Sequence, residues 1–543
     1  MSYELLCSLY FGEGSNADLT SRSARERLHV PTDLEQLVSA SLETGRDVVL
    51  TGNPGDGKSH LARTLHERGL LHGAELVRDL SERSTQGVVE LWRACRAGGR
   101  RVVLCGNEGP LRELLEALRA DPALTAVAEE IGQQVGRLVV DDASRFPPEP
   151  QTVALIDLAD RSVLSVGLID GVLRRVCSDE FLPRVEGAAT QTSVGRNMVM
   201  LQVAEARERL ARLLALAGRR LGEHVTFREL WAAVAYAISG ARSLQALRAE
   251  VNRSEDLEWA SCLDNFQRPR ASGRLIEAAA TFVDPARVPS PDLDEALWSR
   301  GEPVGGEWFI EPPIAETPEL LWSRGRRDEA LERQRRLKRL VALAHERGER
   351  LVAAMERAAP LPSAVENDAL LREVVAGLRR LYLTERDEAS APPWLASGLP
   401  LWLGFSYADG RAEDRPHVAV HAEPESSFRL HRPLRAPWLG AALGPPPEVA
   451  WLFHAPSGTS LRVDPVLLGA LRNAARSAGP TALPERAQRF LVRIAGWDER
   501  RDGAGLEAEP FAVIQRPRGG LLAAGFVRRT GEGGSSYARD AQG

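Results

Sequence analysis

Lysine is nearly absent from this chain of 543 residues: of its 69 basic side chains only two, Lys58 and Lys338, are lysine. Arginine in place of lysine is what a GC-rich genome writes, and it carries no mechanism. Cysteine is scarce as well. Cys7, Cys95, Cys105, Cys177 and Cys262 are scattered with no C-x-x-C spacing, three of them inside apolar runs. Small buried side chains are therefore expected rather than disulfides or zinc ligands. No apolar run reaches the roughly 18 residues of a spanning helix. The start, Met1 to Cys7, has neither a basic region nor a long apolar core, so a cytoplasmic protein without membrane attachment is expected. The net charge of -6 argues against coating nucleic acid by charge alone, though it leaves room for a local basic groove.

What is present is ordinary globular material, 43% hydrophobic and 27% charged, at a length that suggests about three domains. One stretch stands out. Gly52-Asn53-Pro54-Gly55-Asp56-Gly57-Lys58-Ser59 fits the phosphate-cradling pattern G-x-x-x-x-G-K-[ST] at every position. The apolar run Asp47 to Leu50 precedes it and reads as a buried strand; His60 to Leu65 follows and reads as a helix. In that context the glycines let backbone N–H groups face inward, the helix N-terminus adds partial positive charge, and Lys58 reaches the terminal phosphates of ATP. Ser59 would hold Mg²⁺ through its hydroxyl.

The rest of the first 169 residues reads as an α/β fold. Thr32 and Glu35 have capping-box spacing, and Leu34, Leu37, Val38 and Leu42 recur at helical intervals, predicting a helix from about Asp33 to Leu42. His29-Val30-Pro31 suits either an adenine pocket or a plain linker. Short apolar runs at residues 74–79, 101–107, 137–142 and 152–157 alternate with helical stretches, which implies a mainly parallel, doubly wound sheet. Ligands bind such sheets at the carboxyl edge, where Asp79, Asn107, Glu108 and Asp157 would emerge. Residues 170–243 read as a compact helical lid, with a second capping box at Thr226 and Glu229. Prolines punctuate 244–320 into connecting elements and loops. Residues 326–358 read as one long basic helix, either a solvated face laced with ion pairs or a surface for nucleic acid or a partner. An α+β domain over 359–530 and a disordered tail over 531–543 complete the expectation.

ATP hydrolysis needs an acid beside Mg²⁺ and a group that orients the attacking water. Asp157 ends the cleanest apolar run, while Asp79 has the better place in the order of elements, so both are candidates for the metal-side acid. Glu108 is placed to act on water, with Asn107 beside it for the γ-phosphate. Asp141 and Asp142 suit turn positions.

These elements together resemble an AAA+ ATPase. The resemblance implies that Gly52, Gly57, Lys58 and Ser59 form the Walker A loop, with Asn53, Pro54, Gly55, Asp56 and His60 around the nucleotide. It implies Asp79 as a Walker B acid, Asn107 as sensor 1, Arg228 as a sensor 2 residue, and Arg161 as an arginine finger reaching a neighbour in a ring; each arginine also suits a surface ion pair. The chain departs from the family in having no adjacent Asp-Glu pair at a strand end, and the interval from Lys58 to Asp79 leaves out one usual strand. More narrowly, residues 51–60, 106–111 and 225–230 resemble prokaryotic defence-associated ATPases such as the ATPase component of phosphorothioation-dependent DNA restriction. That implies a homo-oligomer acting on DNA with other subunits of a restriction or defence complex. The competing expectation is a nucleotide-gated switch or scaffold that hydrolyses slowly, and a small-molecule kinase comes third.

Overall fold

Four short apolar runs become one sheet in the computed structural model. Asp47–Thr51 (β1), Glu75–Val77 (β2), Val102–Cys105 (β3) and Val153–Asp157 (β4) pair in the order β2-β3-β1-β4, every pairing parallel. The residues described are 2–11, 21–135, 149–178, 181, 192–251, 261–268, 272–310, 316–357, 362, 365–380, 398–404, 417–432, 437–440, 442–443, 448–476, 484–501, 509–514, 521–530 and 534–539. The expected run at 137–142, with Asp141 and Asp142, lies outside them. The chain divides into two units, Met1–Ala358 with Leu434–Pro447, and Ala359–Pro433 with Glu448–Gly543.

In the first unit the helices begin with Ser2–Phe11 (α1), Arg22–Leu28 (α2), Asp33–Glu43 (α3), Lys58–Glu67 (α4), Thr85–Ala97 (α5), Glu108–Arg119 (α6) and Thr125–Val135 (α7). Alternate strand residues face opposite ways. Val49, Val102, Leu104, Val153 and Leu155 pack with Trp92, Leu114, Leu118 and Ile131 of α5–α7. Val48, Leu50, Val103, Cys105 and Ile156 pack with Leu34, Val38, Leu61 and Leu65 of α3 and α4. With both faces covered, the strands need unbroken apolar sequence rather than alternation, and that is why they read as short runs. The start of β1 is fastened by a buried carboxylate: Asp47 accepts from the Trp92 indole at 2.7 Å and from the Val102 N–H at 2.9 Å. Between α4 and β2 no strand intervenes among the described residues.

A helical block follows: Val166–Val176 (α8), Ser193–Gln202 (α9), Ala204–Leu221 (α10), Phe227–Ser239 (α11), Leu244–Val251 (α12), Cys262–Phe266 (α13), Arg274–Phe282 (α14), Pro291–Arg300 (α15), Pro318–Ser323 (α16), Arg327–Ala344 (α17) and Gly348–Arg357 (α18). Two expectations are corrected here. The proline-rich stretch carries helices, because Pro291 and Pro318 sit in the first turn, where a missing N–H costs nothing. The single helix expected over 326–358 is two. His345 is extended and bridges Trp308, Phe309 donates to the Ala344 carbonyl at 2.7 Å, and the buried Arg209 guanidinium takes the carbonyls of Leu343, His345 and Glu346. Those carbonyls have found partners outside the helix, so it ends there. Nor is the helix simply basic at its surface: Arg339 is buried against Asp264 and Asp284, each at 2.9 Å, and Lys338 against Asp294.

The second unit comprises Gly398–Gly404 (β5), His417–Pro424 (β6), Phe428–His431 (β7), Ala450–His454 (β8), Thr459–Val463 (β9), Glu509–Ile514 (β10), Leu521–Thr530 (β11) and Gly534–Arg539 (β12), with helices Asn367–Arg379 (α19), Pro465–Arg476 (α20) and Glu485–Arg501 (α21). Its sheets are antiparallel, ordered β12-β11-β10-β6-β5 and β7-β8-β9. The stretch expected as a disordered tail supplies β12, whose backbone pairs with β11 from Gly525↔Arg539 to Thr530↔Gly534. Among the described residues no helix is long and apolar enough to cross a membrane.

Candidate functional site

The turn from β1 into α4 is built from residues 52–59. Gly55 at φ 98° and Gly57 at φ 92° occupy the left-handed region, which side-chain-bearing residues enter only under strain. A Cβ on Gly55 would also stand 3.2 Å from the Thr226 hydroxyl. Asp56 holds the turn from within. Its buried carboxylate accepts the Asn53 N–H at 2.6 Å and meets His224 Nε2 at 2.7 Å.

Lys58 opens α4 and is 8% exposed, its Nζ donating to the carbonyls of Gly52 at 3.0 Å and Asn53 at 2.8 Å. Burial lowers its pKa; Asp56, Cys105, Asp157 and Asp79 oppose that, in descending order. Both candidate acids thus act on the one lysine. Ser59 donates to the Arg78 carbonyl at 3.2 Å, which sets its hydroxyl beside the residue preceding Asp79.

The sheet brings the other expected residues to the same edge. Asp157 pairs in register with Thr51, directly before the turn. Burial pushes its carboxyl up to about 6, against the Ala159 N–H that it accepts at 2.9 Å. Asp79 lies past the end of β2 and caps a short turn through Ser81, taking its N–H at 2.9 Å and its hydroxyl at 2.6 Å. Between them β3 leads through Gly106, whose N–H bonds the Leu50 carbonyl at 3.0 Å, to Asn107, the residue preceding α6. Glu108 is placed differently from its neighbour: its side chain is 71% exposed and paired with Arg112 one turn along α6. Pro54 is exposed at the tip of the turn.

His60 is half-buried, and desolvation draws its imidazole down to about 4, with His29 beside it as the next cause. The two rings stack at 5.5 Å, with His29 Nδ1 3.3 Å from His60 Nε2. Arg161 is 9% exposed, inside its own chain, its guanidinium 5.8 Å from the centre of the Phe227 ring. Burial lowers it to about 10, so it stays a cation at neutral pH. Within the chain the guanidinium thus lies against the start of α11. Arg228 is exposed and meets the turn through its backbone, whose N–H donates to the Gly55 carbonyl at 3.0 Å.

The loop before α11 therefore clamps the turn, and the sequence foresaw only part of it. Thr226 and Glu229 do form their capping box, Glu229 accepting the Thr226 N–H at 2.9 Å. His224 and Phe227 went unrecognised, because nothing near them in sequence indicates a partner at Asp56 or Arg161. Arg274 completes the clamp, bonding Glu229 at 2.8 Å and the His224 carbonyl at 3.2 Å.

Two hollows share Val30, Thr32 and Arg161 in their walls. A small one of about 30 Å³ is lined by His29, Val30, Gly57, Leu61, Leu158 and Phe227 among others. A larger one of about 680 Å³ includes Val30, Pro31, Arg161 and Ser165 in its wall. Among the described residues no three His, Cys, Asp or Glu side chains gather closely enough to hold a metal by themselves. Ser59 with one aspartate fits a hard cation that keeps water and substrate oxygens for its other positions.

Set against family models, curated proteins and solved structures, the chain matches no family model, no curated protein and no solved structure.

Proposed function

We propose that this chain is a Mg²⁺-dependent, ATP-binding and ATP-hydrolysing subunit of a bacterial DNA-restriction or antiphage defence complex. The observation that carries the ATP half is the phosphate-loop pattern itself, folded between a buried parallel strand and a helix, with Lys58 inward and the ends of three further strands on the same edge. The defence half rests on the sequence resemblance.

The triphosphate of ATP lies on the turn, where Lys58 exchanges two loop carbonyls for phosphate oxygens. Ser59 and Asp79 would hold Mg²⁺, which would neutralise charge developing on the phosphates. Asp79 is preferred to Asp157 because the Ser59 hydroxyl already reaches its neighbour Arg78. Asn107 contacts the γ-phosphate, and Arg161, buried in the same chain, supports the phosphate charge. The clamp of His224, Thr226 and Arg228 makes the helical block sensitive to what the turn holds.

A second reading, a slowly hydrolysing nucleotide-gated scaffold, is favoured by one observation. Glu108, the expected activator of water, is exposed and engaged by Arg112. One experiment separates the two: the ATPase rate of the full chain and of Lys58→Ala, with and without double-stranded DNA at two salt concentrations. The motor reading expects turnover that Lys58→Ala abolishes and DNA raises in a salt-dependent way. Binding without turnover, indifferent to DNA, supports the scaffold. Turnover unchanged in Lys58→Ala would sink both.

A further inference from the structure

A nucleotide whose phosphates lie on the 52–59 turn needs a separate place for its base. The small hollow, at about 30 Å³, has room for water and not for a base, and Glu35, Asp56 and Arg161 are in its wall. The larger cavity, about 680 Å³, shares Val30, Thr32 and Arg161 with it and falls within the range of small-molecule pockets. It is the remaining part of the same site.

Two kinds of side chain wall this cavity. Arg161 and Arg175 bring guanidinium donors, whereas Val30, Pro31, Ala442 and Leu443 form an apolar part. Val30 and Pro31 lie between α2 and α3, close in sequence to the turn. Ala442 and Leu443 come from far along the chain. They belong to Leu434–Pro447, which is part of the first unit although β7 and β8, the strands that flank it in sequence, are part of the second.

This stretch is fastened from behind. Leu439 and Leu443, joined by a hydrogen bond from the Leu443 N–H to the Leu439 carbonyl at 3.3 Å, are buried in the cluster that includes Leu34, Leu61 and Leu158. Leu443 is 0% exposed and backs the wall; Ala442, beside it, is only half-buried. A wall that shares a core with α4 is in place before any ligand arrives, which lowers the cost of ordering it on binding.

We infer that Ala442 closes the base end of the nucleotide site, so that the segment Leu434–Pro447 reads the base while the 52–59 turn reads the phosphates. The inference rests on the reading of the turn as an ATP site. The apolar part of the wall packs against the base, and the arginine donors suit the ring nitrogens and ribose oxygens of a nucleoside, which accept. Both ends of the segment continue into strands of the second unit, so a ligand that holds Ala442 holds the chain leading there.

Two ligands separate the segment from the turn: AMP-PNP, which carries a base, and tripolyphosphate, which has none, each with Mg²⁺ and the full chain in equilibrium dialysis. Wild type is expected to bind both, AMP-PNP the more tightly. Ala442→Leu puts a branched side chain into the cavity and is expected to weaken AMP-PNP by about 10- to 100-fold, the scale of an overpacked contact, with tripolyphosphate unchanged. A variant that binds AMP-PNP as wild type does overturns the inference. Equal affinity of wild type for the two ligands overturns it too, since no base is then read, and leaves the turn standing. Failure of wild type to bind either ligand removes the reading of the turn and the inference with it. If Ala442→Leu weakens both ligands, the substitution has disturbed the core behind it, and hydrogen exchange of wild type decides. Slower exchange at residues 434–447 with AMP-PNP than with tripolyphosphate upholds the inference, and no difference between the two overturns it.

Discussion

Lys58 Nζ rests on two carbonyls of its own loop, so binding a triphosphate replaces neutral acceptors with charged ones at no cost in new burial. The near absence of lysine makes this residue separately addressable. A nucleotide bearing an acyl group on its terminal phosphate passes the acyl to an amine beside that phosphate. Lys338 is 3% exposed, with its ammonium bound by the Val288 carbonyl and Asp294. Peptide mass spectrometry is expected to find the acyl group on Lys58, suppressed by excess ATP, and none on Lys338. Modification of Lys338 instead would show that the reagent does not read the turn. At this scale the loop was legible because its eight residues are contiguous and each has a local job. The partner of Asp56 was not, since His224 lies 168 residues away and a lone histidine before a capping box looks like any other.

Helix starts were legible for a related reason: caps are local, and both predicted capping boxes form around α3 and α11. Helix ends were less so. The break at His345 is caused by Arg209 and Trp308, which no periodicity within α17 reports. The same element hides a buried charge cluster in which Arg339 meets Asp264 and Asp284. Burial raises the Asp264 carboxyl, whereas the Arg339 guanidinium, outweighing burial, holds Asp284 below the usual carboxylate range. A carboxyl depressed in the folded state contributes stability above its unfolded pKa and loses it as pH falls through the folded value. Arg339→Ala deprives two buried carboxylates of the cation they share, at a cost of about 3–5 kcal/mol. Without the guanidinium, burial shifts both folded carboxyls upward relative to wild type, so the variant's deficit shrinks as pH falls. Denaturant melts at pH 7.5 and pH 5 are expected to show a larger deficit at the higher pH. An equal deficit at both would mean that Arg339 acts by packing alone.

At the scale of the whole molecule, sequence order misleads about which residues fold together. The stretch Leu434–Pro447 lies between strands of the second unit and belongs to the first. Leu439 and Leu443 are buried in the cluster formed by α3, α4 and one face of the parallel sheet, with Trp438 and Ala442 partly buried beside them. A boundary drawn near residue 359 on the expected change from helix to mixed sequence therefore leaves out part of the first unit's own core. Leu443, which is 0% exposed, is the sharper probe. Leu443→Ala in the full chain is expected to cost the first unit about 2–5 kcal/mol, the range for a leucine emptied from a packed core. Residues 1–358 alone, lacking the whole segment, are expected to be less stable than that variant. Because α3 and α4 carry Glu35, His60 and Lys58, the same truncation is expected to weaken ATP binding, and a peptide of residues 434–447 added in trans is expected to restore part of it. Measured by the melting temperature of the fragment with and without the peptide, a fragment as stable as the full chain's first unit, and indifferent to the peptide, would show that the segment is a passenger and not part of that core.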